Sequence, residues 1–319
     1  MNTPIETPDV RLATRPSPMA LEQTRRFAES FRRRHPDLVL DVVEVVSEGD
    51  RHVGPLSRIG GKGAFTRTAD RRLLAGEVDM AIACAKDVPG PHDREPGIAV
   101  GAVLPREDVR DVLVLPAGHP PATLADLPRG SRVGTSAPRR AALLKALYPA
   151  LLPVPIRGNA DSRLARLDSG ALGVDAMIAA LAGLGRLGLT GRVSEVLDPA
   201  RWLPASGAGI VVIEHRGDDK TTRDLLAPLT DAPTHALLDA ERAALAALGG
   251  GCLTAASVHA SLDPRTALLT VRAAVLDPGG AGALRATASG AADRAADLGR
   301  EAGERLLADG AARWLDGRP

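Results

Sequence analysis

At 319 residues the chain is too long for one ordinary hydrophobic core and suits two or three domains. Its 45% hydrophobic and 25% charged residues are those of a water-soluble globular protein, and with aromatics at only 2% the core has to be built from Ala, Leu and Val. The net charge of +1 gives no reason to expect nucleic acid, so any basic site is local.

Residues 1–10 are polar and acidic without an apolar run, so no signal peptide is expected. Residues 10–14 read as a short strand. Residues 18–34 have helical spacing, with Ser17 as cap and Pro18 at the first helical position. Residues 38–46 form a valine-rich strand, 66–75 a helix and 79–84 a buried strand. This βαβ pattern predicts a mostly parallel sheet with helices on both faces.

The pattern then repeats. Arg11-x-x-Thr14 followed by Ala20 aligns with Arg132-x-x-Thr135 followed by Ala141, and the stretch 74–83 parallels 170–179. In both, a helix end with glycine leads into a strand opened by aspartate, Asp79 or Asp175. The expected fold class is α/β, with two similar doubly wound lobes of the kind found in periplasmic binding proteins. A small α+β C-terminal domain follows. Residues 9–104 with 208–228 are assigned to the first lobe, 105–207 to the second and 229–319 to the third domain. The chain should cross between lobes at 104–108 and 203–209, and the strand 209–214 should return to the first lobe. A helix at 236–248, strands at 255–261 and 267–275 and a last helix at 291–307 build the third domain. The stretch 277–282 is a surface turn. The apolar run 174–189 is broken by Asp175, Gly183, Gly185 and Arg186 and is too short to span a bilayer.

Six arginines, Arg15, Arg139, Arg140, Arg157, Arg163 and Arg186, fall in or beside turns that follow predicted strands. Arginine forks carboxylates and keeps its charge, so such a set suits a polycarboxylate, although each alone reads as an ordinary surface residue. Asp87, preceded by Lys86, follows the strand 79–84 at the carboxyl end, where ligands of α/β sheets bind; a turn or cap is its plainer role. Ser17, Thr135 and Ser136 can offer hydroxyls at helix N-termini, and Asn159 sits between two of the arginines. Cys84 and Cys252 have no metal-ligand spacing, and a reduced, cytoplasmic setting is the default. Cys252 lies after Gly249-Gly-Gly251, where an adduct would find room, although a lone cysteine is most often a small buried hydrophobe. The segment 54–65, with Arg58, Lys62 and Phe65, is glycine-rich but lacks the order of a P-loop.

Four segments together, Ala85-Lys-Asp-Val-Pro89, Gly134-Thr-Ser-Ala-Pro-Arg-Arg140, Arg157-Gly-Asn-Ala-Asp-Ser-Arg163 and Leu248-Gly-Gly-Gly-Cys252, resemble the hydroxymethylbilane synthase (porphobilinogen deaminase) family. The resemblance runs from about Arg11 to Leu315. It implies head-to-tail condensation of four porphobilinogen units, with loss of ammonia, to linear hydroxymethylbilane. It also implies a covalent dipyrromethane cofactor, thioether-linked at Cys252. Asp87 would be catalytic, stabilising the azafulvenium cation left by ammonia. Lys86, Ser17, Thr135, Ser136, Asn159 and the six arginines would bind cofactor and growing chain. Arg58, Lys62 and Phe65 would belong to a cover over the cleft. The implied partners are porphobilinogen and, for hand-over, uroporphyrinogen-III synthase; no nucleic acid or membrane is expected, and the chain should be a monomer.

The family's His-Ser-Met-Lys-Asp is here Ala83-Cys-Ala-Lys-Asp87, its Thr-Arg-Gly-Asp is Ser47-Glu-Gly-Asp50, its Thr-Ser-Ser-Leu-Arg-Arg carries Ala137 and Pro138, and its Gly-Gln-Gly carries Ala208. Because these changes cluster at the site, two other readings stand beside the first. One is a paralogue with altered or lost pyrrole chemistry. The other is a two-lobed anion-binding protein without catalysis.

Overall fold

The computed structural model describes residues 9–52, 63–90, 93–249 and 255–315. The chain begins with β1 (Asp9–Thr14), α1 (Pro18–Arg34), β2 (Val39–Glu44), α2 (Glu48–Arg51), α3 (Arg67–Leu74), β3 (Met80–Cys84) and β4 (Ile98–Val103). It continues with β5 (Asp111–Val114), β6 (Arg132–Gly134), α4 (Pro138–Leu147), β7 (Leu152–Val154), α5 (Ala160–Asp168), β8 (Ala176–Ala180), α6 (Leu181–Arg186), β9 (Val193–Val196) and β10 (Val211–Arg216). It ends with α7 (Lys220–Leu226), α8 (Ala232–Ala247), β11 (Ala256–Leu262), β12 (Leu268–Leu276), β13 (Ala283–Ala291), α9 (Ala295–Ala308) and α10 (Ala312–Leu315).

Two five-stranded sheets share one topology, β2-β1-β3-β10-β4 and β7-β6-β8-β5-β9. In the first, β1 runs parallel to β2 and β3, while β10 lies antiparallel to β3 and β4. In the second, β6 runs parallel to β7 and β8, while β5 lies antiparallel to β8 and β9. Each sheet is thus mixed, with four strands running one way and one, β10 or β5, running against them. Each receives its antiparallel strand from chain that passes between the lobes, after the second lobe for β10 and before it for β5.

The repeat read in the sequence has a shared hydrogen-bond basis. The Arg11 N–H donates to Asp79 Oδ2 at 2.9 Å and the Asp79 N–H to the Arg11 carbonyl at 3.0 Å. The Arg132 N–H donates to Asp175 Oδ2 at 2.7 Å and the Asp175 N–H to the Arg132 carbonyl at 2.8 Å. In both lobes the aspartate that opens the third strand fixes its register against the first.

Helix α1 starts where the sequence places it: the Ala20 N–H donates to Ser17 Oγ at 3.3 Å, with Pro18 in the first turn. Its inner face buries Phe27 and Phe31 at 0% exposure against Leu12, Leu40 and Met80. Each such ring contributes about 1.5–3 kcal/mol by burial, a large share in a core poor in aromatics. In the third domain α8 and α9 cover the antiparallel sheet β11-β12-β13. Helix α8 starts earlier than the apolar spacing suggests because Asp231 caps it, accepting from the Thr234 N–H at 2.9 Å. Strand β13 carries small and polar residues with little apolar alternation, which hides it in the sequence. No helix among the described residues is long and apolar enough to cross a membrane.

Candidate active site

A cleft of about 540 Å³ opens at the carboxyl ends of β1, β3 and β8 and against the segment 205–210. Arg15, Ser17, Phe65, Lys86, Asp87, Arg139, Arg140, Arg157, Asn159, Arg163 and Arg186 all line it. Strand β3 ends at Cys84 and the chain tightens into a single turn, Ala85–Asp87. That turn is pinned by the Ala85 N–H, which donates to the Ile210 carbonyl at 3.0 Å. Asp87 is half-buried in the cleft wall, and its carboxylate makes no hydrogen bond or ion pair among the described residues. Its charge is felt by Arg15 on one side and Arg163 on the other.

In the first lobe Arg15 is held in place. Asp50 grips it through Oδ1 and through Oδ2, the latter at 3.0 Å from Nε, and the guanidinium lies 4.4 Å over the Phe65 ring. Burial works against the charge of Arg15, yet Asp50 holds its pKa above the ordinary value. Asp50 is positioned by a capping box at the start of α2, where the Asp50 N–H donates to Ser47 Oγ at 3.1 Å and the Ser47 N–H to Asp50 Oδ2 at 3.1 Å. Phe65 lies against Gly49, where a Cβ would come within 2.5 Å of the ring, so only glycine fits beneath it. Glu48 does not line the cleft. It points to α3, pairing with Arg67 at 2.6 Å and Arg71 at 3.1 Å, so the charge reversal at this position stays outside the site.

In the second lobe Arg139 and Arg140 both close on Asp111. Arg139 Nη2 donates to Asp111 Oδ2 at 2.6 Å and its Nη1 to the Leu203 carbonyl at 2.8 Å. Arg140 donates to Asp111 Oδ1 at 2.6 Å and to the Ile178 carbonyl at 3.1 Å. Trp202 Nε1 adds a bond to Asp111 Oδ2 at 2.9 Å. Burial opposes the charge of Asp111, but the two guanidiniums hold its carboxyl far below the usual range. Arg163, in the first turn of α5, makes no side-chain hydrogen bond or ion pair among the described residues. Burial, then the neighbouring Arg140 and Arg157, push its pKa down to about 10, with Asp87 opposing, so it remains a cation at neutral pH.

Several contacts tie the lobes together. Arg157 Nη2 donates to the carbonyls of Gly49 at 3.1 Å and His52 at 3.3 Å. Arg186 ends α6 rather than lying in a turn, and it pairs with Glu107 at 2.9 Å on the segment joining the lobes. Its Nη1 also reaches Cys84 Sγ at 3.7 Å, and Gln23 Nε2 reaches the same sulfur at 3.0 Å. Cys84 is therefore a buried, hydrogen-bonded thiol on the cleft floor. Behind it, Ala83, Thr14, Gln23 and Glu214 border a cavity of about 30 Å³. Burial raises the Glu214 carboxyl to about 7 despite its pairing with Arg94.

Two expected ligands are elsewhere. Thr135 Oγ1 accepts from the Ala137 N–H at 3.2 Å, and Ser136 Oγ accepts from the Ile156 N–H at 3.0 Å while donating to the Ile156 carbonyl. Both hydroxyls bond the backbone around the start of α4, and neither residue lines the cleft. Ala137, which has no hydroxyl, caps α4 only by position, and Pro138 starts the helix. Gly207 and Gly209 keep positive φ values of 69° and 75°, so Ala208 between them changes a side chain and not the turn. Cys252, Arg58 and Lys62 lie outside the described residues. Asp50, which falls in the Ser47-Glu-Gly-Asp50 motif, and Asp111, which falls in none, hold three of the six arginines and were not singled out as site residues. Their signals are the Ser47-x-x-Asp50 spacing and an acid opening an otherwise apolar strand.

The donor set suits a polycarboxylate pyrrole. Arg157 Nε, Arg163 Nε and Arg186 Nη2 are buried without an acceptor among the described residues, and all three side chains line the cleft. No group of three or more His, Cys, Asp or Glu that could hold a metal occurs among the described residues.

The family model "porphobilinogen deaminase, dipyromethane cofactor binding domain" matches residues 10–224, and "porphobilinogen deaminase, C-terminal domain" matches 236–308. A protein named porphobilinogen deaminase 2 from Streptomyces coelicolor is 42% identical over 308 residues, covering 97% of this chain and 96% of its own. A porphobilinogen deaminase from Syntrophobacter fumaroxidans is 41% identical over 308 residues, covering 96% and 97%. Among solved structures, the methionine-binding protein MetQ aligns with a TM-score of 0.44 at 12% identity, over 69% of this chain and 89% of that one.

Proposed function

The chain belongs to the porphobilinogen deaminase family, and from that premise we propose that it joins four porphobilinogen units head to tail, with loss of one ammonia each, and releases hydroxymethylbilane by hydrolysis, a water supplying its hydroxyl. The observation that carries this reading is Asp87. It is a carboxylate without a partner among the described residues, set in a cleft whose guanidiniums include one, Arg163, equally unpartnered.

Arg163, Arg157 and Arg186 receive the acetate and propionate arms of the pyrroles, because their buried N–H groups lack acceptors. Arg139 and Arg140 act differently. Their bonds to Asp111 brace the first turn of α4, and both side chains line the cleft while so engaged. When ammonia leaves the aminomethyl group of porphobilinogen, positive charge spreads over the pyrrole. The Asp87 carboxylate stabilises that charge by accepting a hydrogen bond from the pyrrole N–H. It also takes part in moving the proton that leaves when the new carbon–carbon bond forms. Arg15, stacked on Phe65 and gripped by Asp50, keeps a fixed positive charge beside Asp87. Dipyrromethane, held as a thioether on Cys252, would supply the pyrrole end to which units are added. Ser17 and Asn159 line the cleft wall and would hold it, and Lys86 adds a charge beside Asp87.

In this reading residues 9–104 with 208–228, 105–207 and 229–319 act as the units of a cytoplasmic monomer that hands its product to uroporphyrinogen-III synthase. The deciding experiment feeds porphobilinogen to the purified chain and follows ammonia, hydroxymethylbilane and the mass of the Cys252 peptide. Four ammonia per hydroxymethylbilane, with a dipyrromethane-sized adduct on Cys252, is the expected result. A bare Cys252 and no ammonia would leave a paralogue that binds pyrrole carboxylates without this chemistry.

A further inference from the structure

Glu241, on α8 of the third domain, is a carboxylate at 0% exposure that the proposed reaction does not use. Its Oε2 accepts from the Gly207 N–H at 2.6 Å and its Oε1 from the Ala260 N–H at 2.8 Å. Arg106 Nη2 stands 2.8 Å from Oε1, and His259 Nδ1 lies 3.6 Å from the same oxygen. Burial opposes its ionisation, but Arg106 and then His259 keep its carboxyl below the ordinary value. Arg106 also donates to the Ala208 carbonyl at 2.9 Å and to the Ala260 carbonyl at 3.0 Å. The turn 207–209 is therefore clamped from the third domain.

That turn presses on the catalytic one. At Gly207, with φ +69°, a Cβ would stand 2.8 Å from the Lys86 nitrogen and 2.9 Å from the Ala85 carbonyl carbon. The two backbones are in direct contact, and the Ala85 N–H bonds the Ile210 carbonyl at 3.0 Å just beyond. One helical turn before Glu241, Leu238 packs with Ala85, Val88 and Ile210 in a single buried cluster. Helix α8 thus meets the turn carrying Asp87 twice, once through Leu238 and once through Glu241 and Gly207. An apolar residue at 241 could fill the same space, but it would orphan two buried N–H groups and the Arg106 charge.

We propose that Glu241 is a positioning residue for Asp87, fixing through Gly207 where the 85–87 turn holds its carboxylate. The proposal rests on Asp87 being the reacting carboxylate of the deaminase reading.

Three variants of the cofactor-loaded enzyme test it: Glu241→Gln, Gly207→Ala and Leu269→Ala. Leu269 belongs to the third-domain core and not to the cluster that packs on the turn. Its truncation lowers the melting temperature of that domain and leaves the contacts of the 85–87 turn in place. For Glu241→Gln, kcat falls on the order of 10- to 100-fold, as small misplacement of a reacting group does. KM stays nearly constant. Amide exchange at residues 85–88 speeds up while the cofactor adduct remains. At an equal folded fraction, Leu269→Ala keeps the wild-type kcat. If Glu241→Gln does not fold, Gly207→Ala carries the test, since its Cβ pushes the turn directly and leaves Glu241 intact. The proposal is overturned if the turn variants lose no more kcat than Leu269→Ala, or if exchange at 85–88 is unchanged. Should the wild type itself release no ammonia, the deaminase reading falls, and the exchange measurement alone still decides whether Glu241 holds the turn.

Discussion

The two lobes carry one topology and opposite chemistry. In each, a parallel trio of strands is completed by an antiparallel strand from the crossing chain, and an aspartate ties the third strand to the first. The lobes part company beyond the third strand. After β3 the chain makes a tight turn and presents Asp87; after β8 it enters α6 and presents Arg186. Among the described residues the first lobe leaves an acid without a hydrogen-bond partner and ties its arginine, Arg15, to Asp50. The second ties two arginines to Asp111 and leaves Arg163 without a hydrogen-bond partner among those residues. A duplicated scaffold gains a polar cleft from the few residues beyond its strand ends, where α/β sheets place their ligands.

The comparison breaks most visibly at Asp87. Asp87→Asn keeps the size of the side chain and removes only the negative charge. The expected result is a fall in kcat on the order of 10² to 10⁴-fold with an unchanged melting temperature. Ammonia release at saturating porphobilinogen measures it. Full activity would move the reacting role elsewhere and leave the asymmetry between the lobes without a catalytic meaning.

Asp111 tests the opposite side. Asp111→Asn leaves two guanidiniums facing each other in a buried site, and it should cost about 3–5 kcal/mol in urea unfolding. The pH dependence has a definite sign. Because Asp111 is depressed below its ordinary 3.8, its contribution is complete above that value and is lost as the pH falls below it. The wild type should therefore lose this stability in acid, and the variant should lack that part of the acid loss. An unfolding free energy within error of wild type would mean that Arg139 and Arg140 do not need the clamp.

Much of this was legible in the sequence. The Ser17–Pro18 helix start, the strand before Asp87, the paired Asp79 and Asp175 and the return of the strand after 209 follow from local spacing and repetition, while the convergence of the six arginines was implied by the family resemblance. The partition of those arginines did not. Whether a guanidinium faces ligand or a neighbouring carboxylate depends on which strand start lies across from it, as Asp111 does for Arg139 and Arg140, and no local pattern encodes that. Thr135 and Ser136 show the same limit, since their hydroxyls bond backbone that the sequence cannot place. The antiparallel course of β5 and β10 was hidden for a related reason: it is set by where the chain crosses between lobes, not by composition.

Arg163 sharpens the comparison at intermediate size. Lysine there keeps the charge but loses the fork, so Arg163→Lys should lower kcat/KM about 10- to 100-fold, the worth of one or two charge-assisted hydrogen bonds. Stability should hold or rise slightly, because no partner among the described residues is lost and an unpaired, half-buried guanidinium is removed. Arg139→Lys, by contrast, should act mainly on stability, since Arg139 already bonds Asp111 and the Leu203 carbonyl. Equal effects of the two substitutions on kcat/KM would erase the distinction drawn between bracing and binding arginines.

The smallest effect belongs to Glu48, where the chain departs from the family in charge. A negative residue facing the cleft would repel substrate carboxylates, and its neutralisation would then raise affinity. The side chain instead pairs with Arg67 and Arg71 on α3 and is partly solvated. Glu48→Gln should change stability by no more than about 1 kcal/mol, as partly exposed ion pairs do. KM for porphobilinogen should match that of the wild type at every ionic strength, because α2 continues to present Asp50 through its own capping box. A drop in KM at low salt, vanishing at high salt, would show that the Glu48 charge reaches the cleft after all. The departure would then belong to substrate binding and not to the joint between α2 and α3.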